Sequence, residues 1–324
     1  MFIKILISLA LISIVYLVIA FGLILSQWPS NFSPNTQSLD FTGVLNAQTP
    51  QPPETRQMRD GYPLPVRLYG APEAENLIVL VHGSGWHGMQ FHSLANQLSE
   101  HGWVAVPDLR GHGVTPERRG DVDHIGQLEE DLADLIDQLR QGGQAVTLIG
   151  HSSGGGLVVR MAGGPYRGQM DKAVLLAPFL QHDAPTMRPN SGGWTLPLTR
   201  RLIGLSMLNG VSISRLNHLT AIQFAMPQVV LDGPLGHTAT TAYSFRLNVS
   251  YAPRRDYLSD IAKLPPFLLI AGKEDEAFKA DAFEPVLSQA SEKGTYHLIH
   301  DVGHLDIVNA PETAELIIRQ LSHQ

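Results

Sequence analysis

Eleven residues from Ala145 to Gly155, AVTLIGHSSGG, constrain this chain more than any other stretch. Ala145 to Ile149 is a short apolar run with β-branched residues and predicts a buried strand. Gly150-His-Ser-Ser-Gly154 spells G-x-S-x-G, and a helical stretch from Gly155 to Ala162 follows. Strand, sharp turn and helix are the setting of a nucleophile elbow, which lifts a serine to the carboxyl end of a sheet. That serine is Ser152. The helix behind it points backbone N–H groups and a partial positive charge at an oxyanion formed there.

The strands and helices around the elbow alternate. Strands are expected at Pro65–Tyr69, Leu77–Val81, Trp103–Val106, Ala173–Leu176, Phe267–Ile270 and Tyr296–Ile299. Helices are expected at Gln90–Ser99, Leu128–Leu139 and about Pro311–Leu321. This alternation predicts an α/β fold, with a mostly parallel sheet and helices on both faces. It breaks between Phe179 and Lys263. There, pieces such as Leu196–Leu208 and Leu219–Val230 read as helical, and the interval is expected to be a cap inserted over the carboxyl ends of the strands.

The amino-terminal end differs. Ile5 to Ser26 is an uncharged, almost wholly apolar run of 22 residues. As a helix it is about 33 Å long, enough to cross a bilayer core. Lys4 precedes it, and the next basic residue is Arg56. The positive-inside rule then leaves the amino terminus in the cytoplasm and carries the rest across the membrane. The span exceeds the apolar core of a cleavable signal and lacks a clean A-x-A site, so an uncleaved signal anchor is expected. A removed signal peptide and a buried core helix are the alternatives. Trp28 to Pro53, rich in Asn, Ser, Gln, Thr and Pro, reads as a tether, with Trp28 at the lipid–water interface. The expected organisation is a transmembrane signal anchor at 1–27, a linker at 28–55, a core at 56–180 and 263–324, and a cap at 181–262. If the source is bacterial, the catalytic domain lies in the periplasm, anchored in the inner membrane.

A serine hydroxyl needs a base to take its proton and an acid to orient that base. His304 lies in a turn, DVGH, beyond the last expected strand. Asp275 follows the strand Phe267–Gly272, flanked by Glu274 and Glu276, either of which is a possible substitute. His297 and His300 read as structural strand residues, and His323 lies in the tail. Ser152, Asp275 and His304 stand in the order nucleophile, acid, histidine of the α/β-hydrolase arrangement. The N–H of Ser153 and that of Ser84, in the loop His82-Gly-Ser-Gly-Trp86, are the candidate oxyanion-hole donors. The chain has no cysteine, so disulfides, thiolate metal sites and a cysteine nucleophile are excluded. No catalytic metal is expected: His82, His87 and His92 have a spacing that suits neither helix nor strand. A net charge of −7 gives no reason to expect nucleic acid.

The segments HGSGWHGMQFHSLANQLSEHGW (His82–Trp103), DLRGHG (Asp108–Gly113) and GHSSGG (Gly150–Gly155) resemble the α/β-hydrolase family. Within it they look like the monoglyceride lipase and lysophospholipase branch, which is also grouped with serine aminopeptidase-like hydrolases. The resemblance implies a Ser-His-Asp hydrolase with a lid over an acyl pocket and no cofactor. It puts the nucleophile on Ser152, the acid on Asp275, the base on His304 and the oxyanion amides on Ser84 and Ser153. The chain departs from the branch at Trp86, where an acidic residue is common, and at Ser153, where Met or Gln is common. The expected activity is cleavage of a lipophilic carboxylic ester, a monoacylglycerol or lysophospholipid. An amidase or peptidase on the same triad is one alternative, and a non-catalytic membrane-tethered binding protein is the other.

Overall fold

The computed structural model describes residues 2–30, 39–42 and 51–322. Its strands, in chain order, are β1 (Glu54–Gln57), β2 (Pro63–Tyr69), β3 (Asn76–Val81), β4 (Trp103–Pro107), β5 (Ala145–His151), β6 (Lys172–Leu176), β7 (Thr195–Pro197), β8 (Thr220–Phe224), β9 (Ala242–Ser244), β10 (Phe267–Gly272) and β11 (Gly294–Ile299). Eight of them form one sheet in the order β1-β2-β4-β3-β5-β6-β10-β11. From β4 to β11 the pairs are parallel, and β1 and β2 close one edge in antiparallel fashion.

The pleat of β3 divides the interior in two. Leu77, Val79 and Val81 face a core built with Leu128, Leu132 and Leu139 of the helix Gln127–Leu139. Ile78 and Leu80 face the opposite core, with Leu94 and Leu98 of the helix His92–Leu98 and Ile317 of the helix Pro311–Ser322. A strand buried on both faces must be apolar at every position, which is why LIVLV carries no alternation.

Between β6 and β10 lies a smaller layer, which holds the antiparallel sheet β7-β8-β9 and the helices Thr199–Gly210 and Phe245–Tyr251. Two readings are corrected here. Leu196–Leu208 begins as strand β7 and becomes helical only from Thr199. Leu219–Val230 holds strand β8 at Thr220–Phe224 and, after a non-helical link, one short helical turn, Gln228–Leu231. A register irregularity between Thr220 and Ile222 breaks the two-residue alternation there. That disguises a strand as a helical apolar pattern.

The amino-terminal helix, Phe2–Leu25, is long and apolar enough to cross a bilayer, and most of its surface is exposed. Its carboxyl half packs against the helix Thr199–Gly210. A Cβ on Gly204 would lie 2.5 Å from the Ala20 carbonyl and 2.7 Å from Ile24 Cγ1, so only glycine permits this approach. The Tyr16 hydroxyl donates to the Met207 carbonyl at 2.8 Å, and Gln27 Oε1 accepts from Arg200 N–H at 2.8 Å. The two helices therefore run antiparallel. Arg201 sits 4.9 Å over the Trp28 ring. Gln223 brackets Ser30 with a hydrogen bond to each of its backbone polar groups.

Much of the segment read as a tether, residues 31–38 and 43–50, lies outside the described residues. Its described parts are attached to the protein: Ser30 to β8, and Leu39 and Phe41 within the main core cluster.

Candidate active site

The elbow is set by glycines. Ser152 has φ 54° and ψ −120°, a conformation that side chains other than glycine rarely adopt. It is held by Ser152 N–H to the Leu176 carbonyl, and by its own carbonyl, which accepts from Phe179 N–H, both at 2.9 Å. A Cβ on Gly150 would fall 2.4 Å from the Gly154 carbonyl oxygen, and one on Gly154 would fall 2.1 Å from that of Val81. Both glycines of G-x-S-x-G are thus required by close backbone packing. The helix Ser153–Gly163 starts directly at the serine, with its first N–H groups free of intrahelical acceptors.

Three sequence-predicted residues converge from three strand ends. Ser152 follows β5, Asp275 follows β10, and His304 lies beyond β11. His304 Nε2 is 3.0 Å from Ser152 Oγ, and His304 Nδ1 is 2.8 Å from Asp275 Oδ2. Asp275 is 1% exposed, and its other oxygen accepts from the N–H groups of Ala277 and Phe278 at 2.8 and 2.7 Å. The carboxylate is fully engaged and fixed in direction. With Nδ1–H donating to it, Nε2 is left to accept the serine proton.

The rival acids and histidines fall elsewhere. Glu274 is exposed, and Glu276 accepts the backbone N–H of His304 at 2.7 Å. Glu276 therefore holds His304 from behind. His297 is half-buried in β11, His300 is exposed beyond it, and His323 lies outside the described residues.

Ser84 lies in the loop after β3, next to Gly83, whose Cβ position is 3.2 Å from Ser152 Cβ. The loop is anchored from two sides. Gly85 N–H donates to the Tyr243 hydroxyl at 2.8 Å, and Gly88 N–H donates to Asp108 Oδ1 at 2.9 Å. Asp108 is buried and paired with Arg67 at 2.9 Å. The Tyr243 hydroxyl also meets His112 Nε2, whose Nδ1 faces backbone carbonyls. The DLRGHG stretch thus serves as a brace for the loop that carries Ser84.

Sequence reasoning missed this brace and the two groups behind the base. His151 Nε2 lies 2.9 Å from the His304 carbonyl, and its Nδ1 lies 3.2 Å from Gln90 Nε2. His151 is the first of the two variable residues of the elbow motif, so its position was visible while its partner was not. Burial, with His304 nearby, pushes the His151 pKa well below the ordinary histidine value. Burial likewise lowers His82 to about 4 and His112 well below its ordinary value. The Asp306 pKa is raised by burial and by the negative charges of Asp40 and Glu276.

An apolar roof covers the serine. Trp86 comes from the loop after β3 and Trp194 from the smaller layer between β6 and β10, with its indole N–H 3.3 Å from Ser84 Oγ. Phe41 packs against both indoles, at ring-centre distances of 6.0 and 5.7 Å. Among the described residues no cluster of His, Cys, Asp or Glu has the arrangement of a metal site.

An eight-stranded, mostly parallel sheet with a nucleophile elbow, and a Ser-His-Asp constellation at its carboxyl edge, define an α/β hydrolase. The chain belongs to the serine aminopeptidase S33 family, whose model matches residues 72–309. It is 34% identical over 125 residues to lipase LipV of Mycobacterium tuberculosis, covering 39% of this chain and 45% of that one. The chain spans less than half the length of the curated relatives it matches. In fold it is similar to the monoacylglycerol lipase of Paleococcus ferrophilus, with a TM-score of 0.59, 20% identity, and coverage of 80% of this chain and 98% of that one. It is also similar to a bacterial membrane phospholipase A, with a TM-score of 0.56, 16% identity, and coverage of 100% and 99%.

Proposed function

We propose that this chain is a membrane-anchored serine hydrolase that cleaves lipophilic carboxylic esters through an acyl-enzyme on Ser152. The observation that carries the reading is the continuous relay Ser152 Oγ, His304, Asp275, at 3.0 and 2.8 Å on a strained elbow. In the first step Ser152 Oγ attacks the ester carbonyl while His304 Nε2 takes its proton. The N–H groups of Ser84 and Ser153 receive the oxyanion. His304 returns the proton to the leaving alcohol, then deprotonates a water that releases the fatty acid. Asp275 fixes the tautomer of His304 and stabilises its charged form.

The lipid character of the substrate rests on the surroundings. The roof over Ser152 is aromatic and aliphatic, which suits an acyl chain. The helix Phe2–Leu25 is the anchor, with the amino terminus cytoplasmic and the catalytic domain on the opposite side. Its packing against the helix Thr199–Gly210 brings the cap to the membrane. Ile203, Val211 and Ile213 are exposed on that cap and would face lipid. A monoacylglycerol or lysophospholipid then reaches the site from the bilayer.

The test is turnover by the full chain in detergent micelles, given a monoacylglycerol, a lysophospholipid and an amide with the same acyl group. Ester cleavage that disappears in Ser152→Ala supports the reading. Faster amide than ester cleavage, or ester cleavage that survives Ser152→Ala, contradicts it.

A further inference from the structure

The residues over Ser152 come from three places: the loop after β3, the cap, and the short amino-terminal segment Leu39–Thr42. The third is unexpected. Leu39 and Phe41 point inward and are each 5% exposed, while Asp40 and Thr42 point out. Leu39 and Phe41 line the same cavity as Ser152, His304, Trp86 and Trp194. With them in place, the free volume of the cavity is only about 10 Å³. That is room for about one water molecule. An ester carbonyl must come within about 3 to 3.5 Å of Ser152 Oγ to react, and its acyl chain must follow. Something in the roof has to move.

The segment Leu39–Phe41 is the part of the roof held least firmly. Trp86 is built into the loop braced by Tyr243 and Asp108, and Trp194 is tied to Ser84. Among the described residues, the hydrogen bonds made by the segment are internal, from Thr42 to Asp40, with Thr42 N–H donating to Asp40 Oδ1 at 2.8 Å. Its grip on the site is apolar contact, chiefly Phe41 against the two indoles. Among the described residues no ion pair fastens the outward Asp40, which meets the like charge of Asp306. The segment also lies outside residues 72–309, the part matched by the family. The relay and its loop are complete without it.

We propose that Leu39 and Phe41 form a displaceable plug of the acyl site, which an amphiphile must push aside to reach Ser152. The proposal rests on Ser152 being the seat of ester cleavage. Contact by apolar surface alone is what an acyl chain can replace like for like. A small water-soluble ester offers too little apolar area to do so. The plug therefore makes the site selective for long-chain, membrane-borne esters without contacting the reacting atoms. It follows the anchor in the chain, so the two tie access to the serine to the membrane.

The test uses the full chain in detergent micelles, and the absence of native cysteine gives it a clean thiol readout. In Leu39→Cys the single thiol is expected to react with a maleimide at least about tenfold more slowly than in Glu315→Cys, an exposed position on the last helix. A non-hydrolysable monoalkyl glycerol ether should abolish that protection. A Leu39→Cys thiol as reactive as that of Glu315→Cys without ligand, or one still protected at saturating ether, overturns the plug. This readout needs no catalysis. Labelling of Ser152 by a fluorophosphonate in the same sample reports separately on the hydrolase reading. In addition, Leu39→Ser with Phe41→Ser should raise kcat/KM for a soluble short-chain ester by about tenfold. An unchanged or lower value in a folded sample makes the segment a fixed wall and contradicts the proposal.

Discussion

The floor and the roof of the site are built from different interactions. The floor is polar and fully bonded: Ser152, His304 and Asp275 sit at three strand ends, with Glu276, His151 and two backbone N–H groups holding them from behind. The roof is four apolar side chains from three separate segments, in contact mainly through aromatic faces. Hydrogen bonds specify direction to within tenths of an ångström, and apolar contact specifies little beyond volume. The floor therefore suits chemistry that tolerates no displacement, and the roof suits a substrate that varies in length.

Breaking the floor should have the largest effect. Asp275→Asn keeps the shape but donates where His304 Nδ1 must donate, forcing the wrong tautomer. A fall in kcat of about 10⁴ is expected with little change in KM, measured on a monoacylglycerol. A modest loss would mean that Asp275 does not orient the base. Next comes the elbow backbone. In Gly154→Ala the new methyl would meet the Val81 and His82 carbonyls at 2.1 and 2.5 Å. The expected cost is about 3 kcal/mol, read from the shift of the chemical unfolding midpoint; wild-type stability would show that the close approach is not real.

The buried histidines sharpen the same contrast through pH. His82 and His87 are lowered by burial to about 4 and about 3, and His112 and His151 fall well below the ordinary value. In the unfolded chain all four return to about 6.5. Below that pH the unfolded state binds more protons, so stability is full above it and falls as pH drops, until each folded pKa is reached. The slope is up to about 1.4 kcal/mol per pH unit for each histidine. A midpoint that fails to fall between pH 7 and pH 5 would contradict neutral burial. The smallest effect belongs to the roof. Trp194→Ala should lower kcat/KM for a long-chain ester by about tenfold while leaving kcat largely intact. Equal losses for short and long chains would remove Trp194 from the acyl site.

The same division explains what the sequence revealed. The elbow, the strand alternation and the meeting of Ser152, Asp275 and His304 were legible because glycine spacing, apolar runs and loop positions are local properties. The core strands begin or end within two residues of expectation. Strand β8 was not legible, because its bulge hides the two-residue period. Nor was the attachment of Leu39 and Phe41, since a Leu and a Phe in a polar, Pro-containing stretch carry no local sign of the indoles they meet. The roles of His151, Glu276 and the Asp108 brace depend on partners 20 or more positions away, and no spacing rule reaches them.

The most direct test of the account treats the full chain in micelles with a long-chain alkyl fluorophosphonate and maps the adduct by mass spectrometry. One adduct is expected, on Ser152, absent from Ser152→Ala and formed much more slowly in Asp275→Asn. No adduct in a folded sample, or an adduct on another residue, would contradict an activated serine at the elbow.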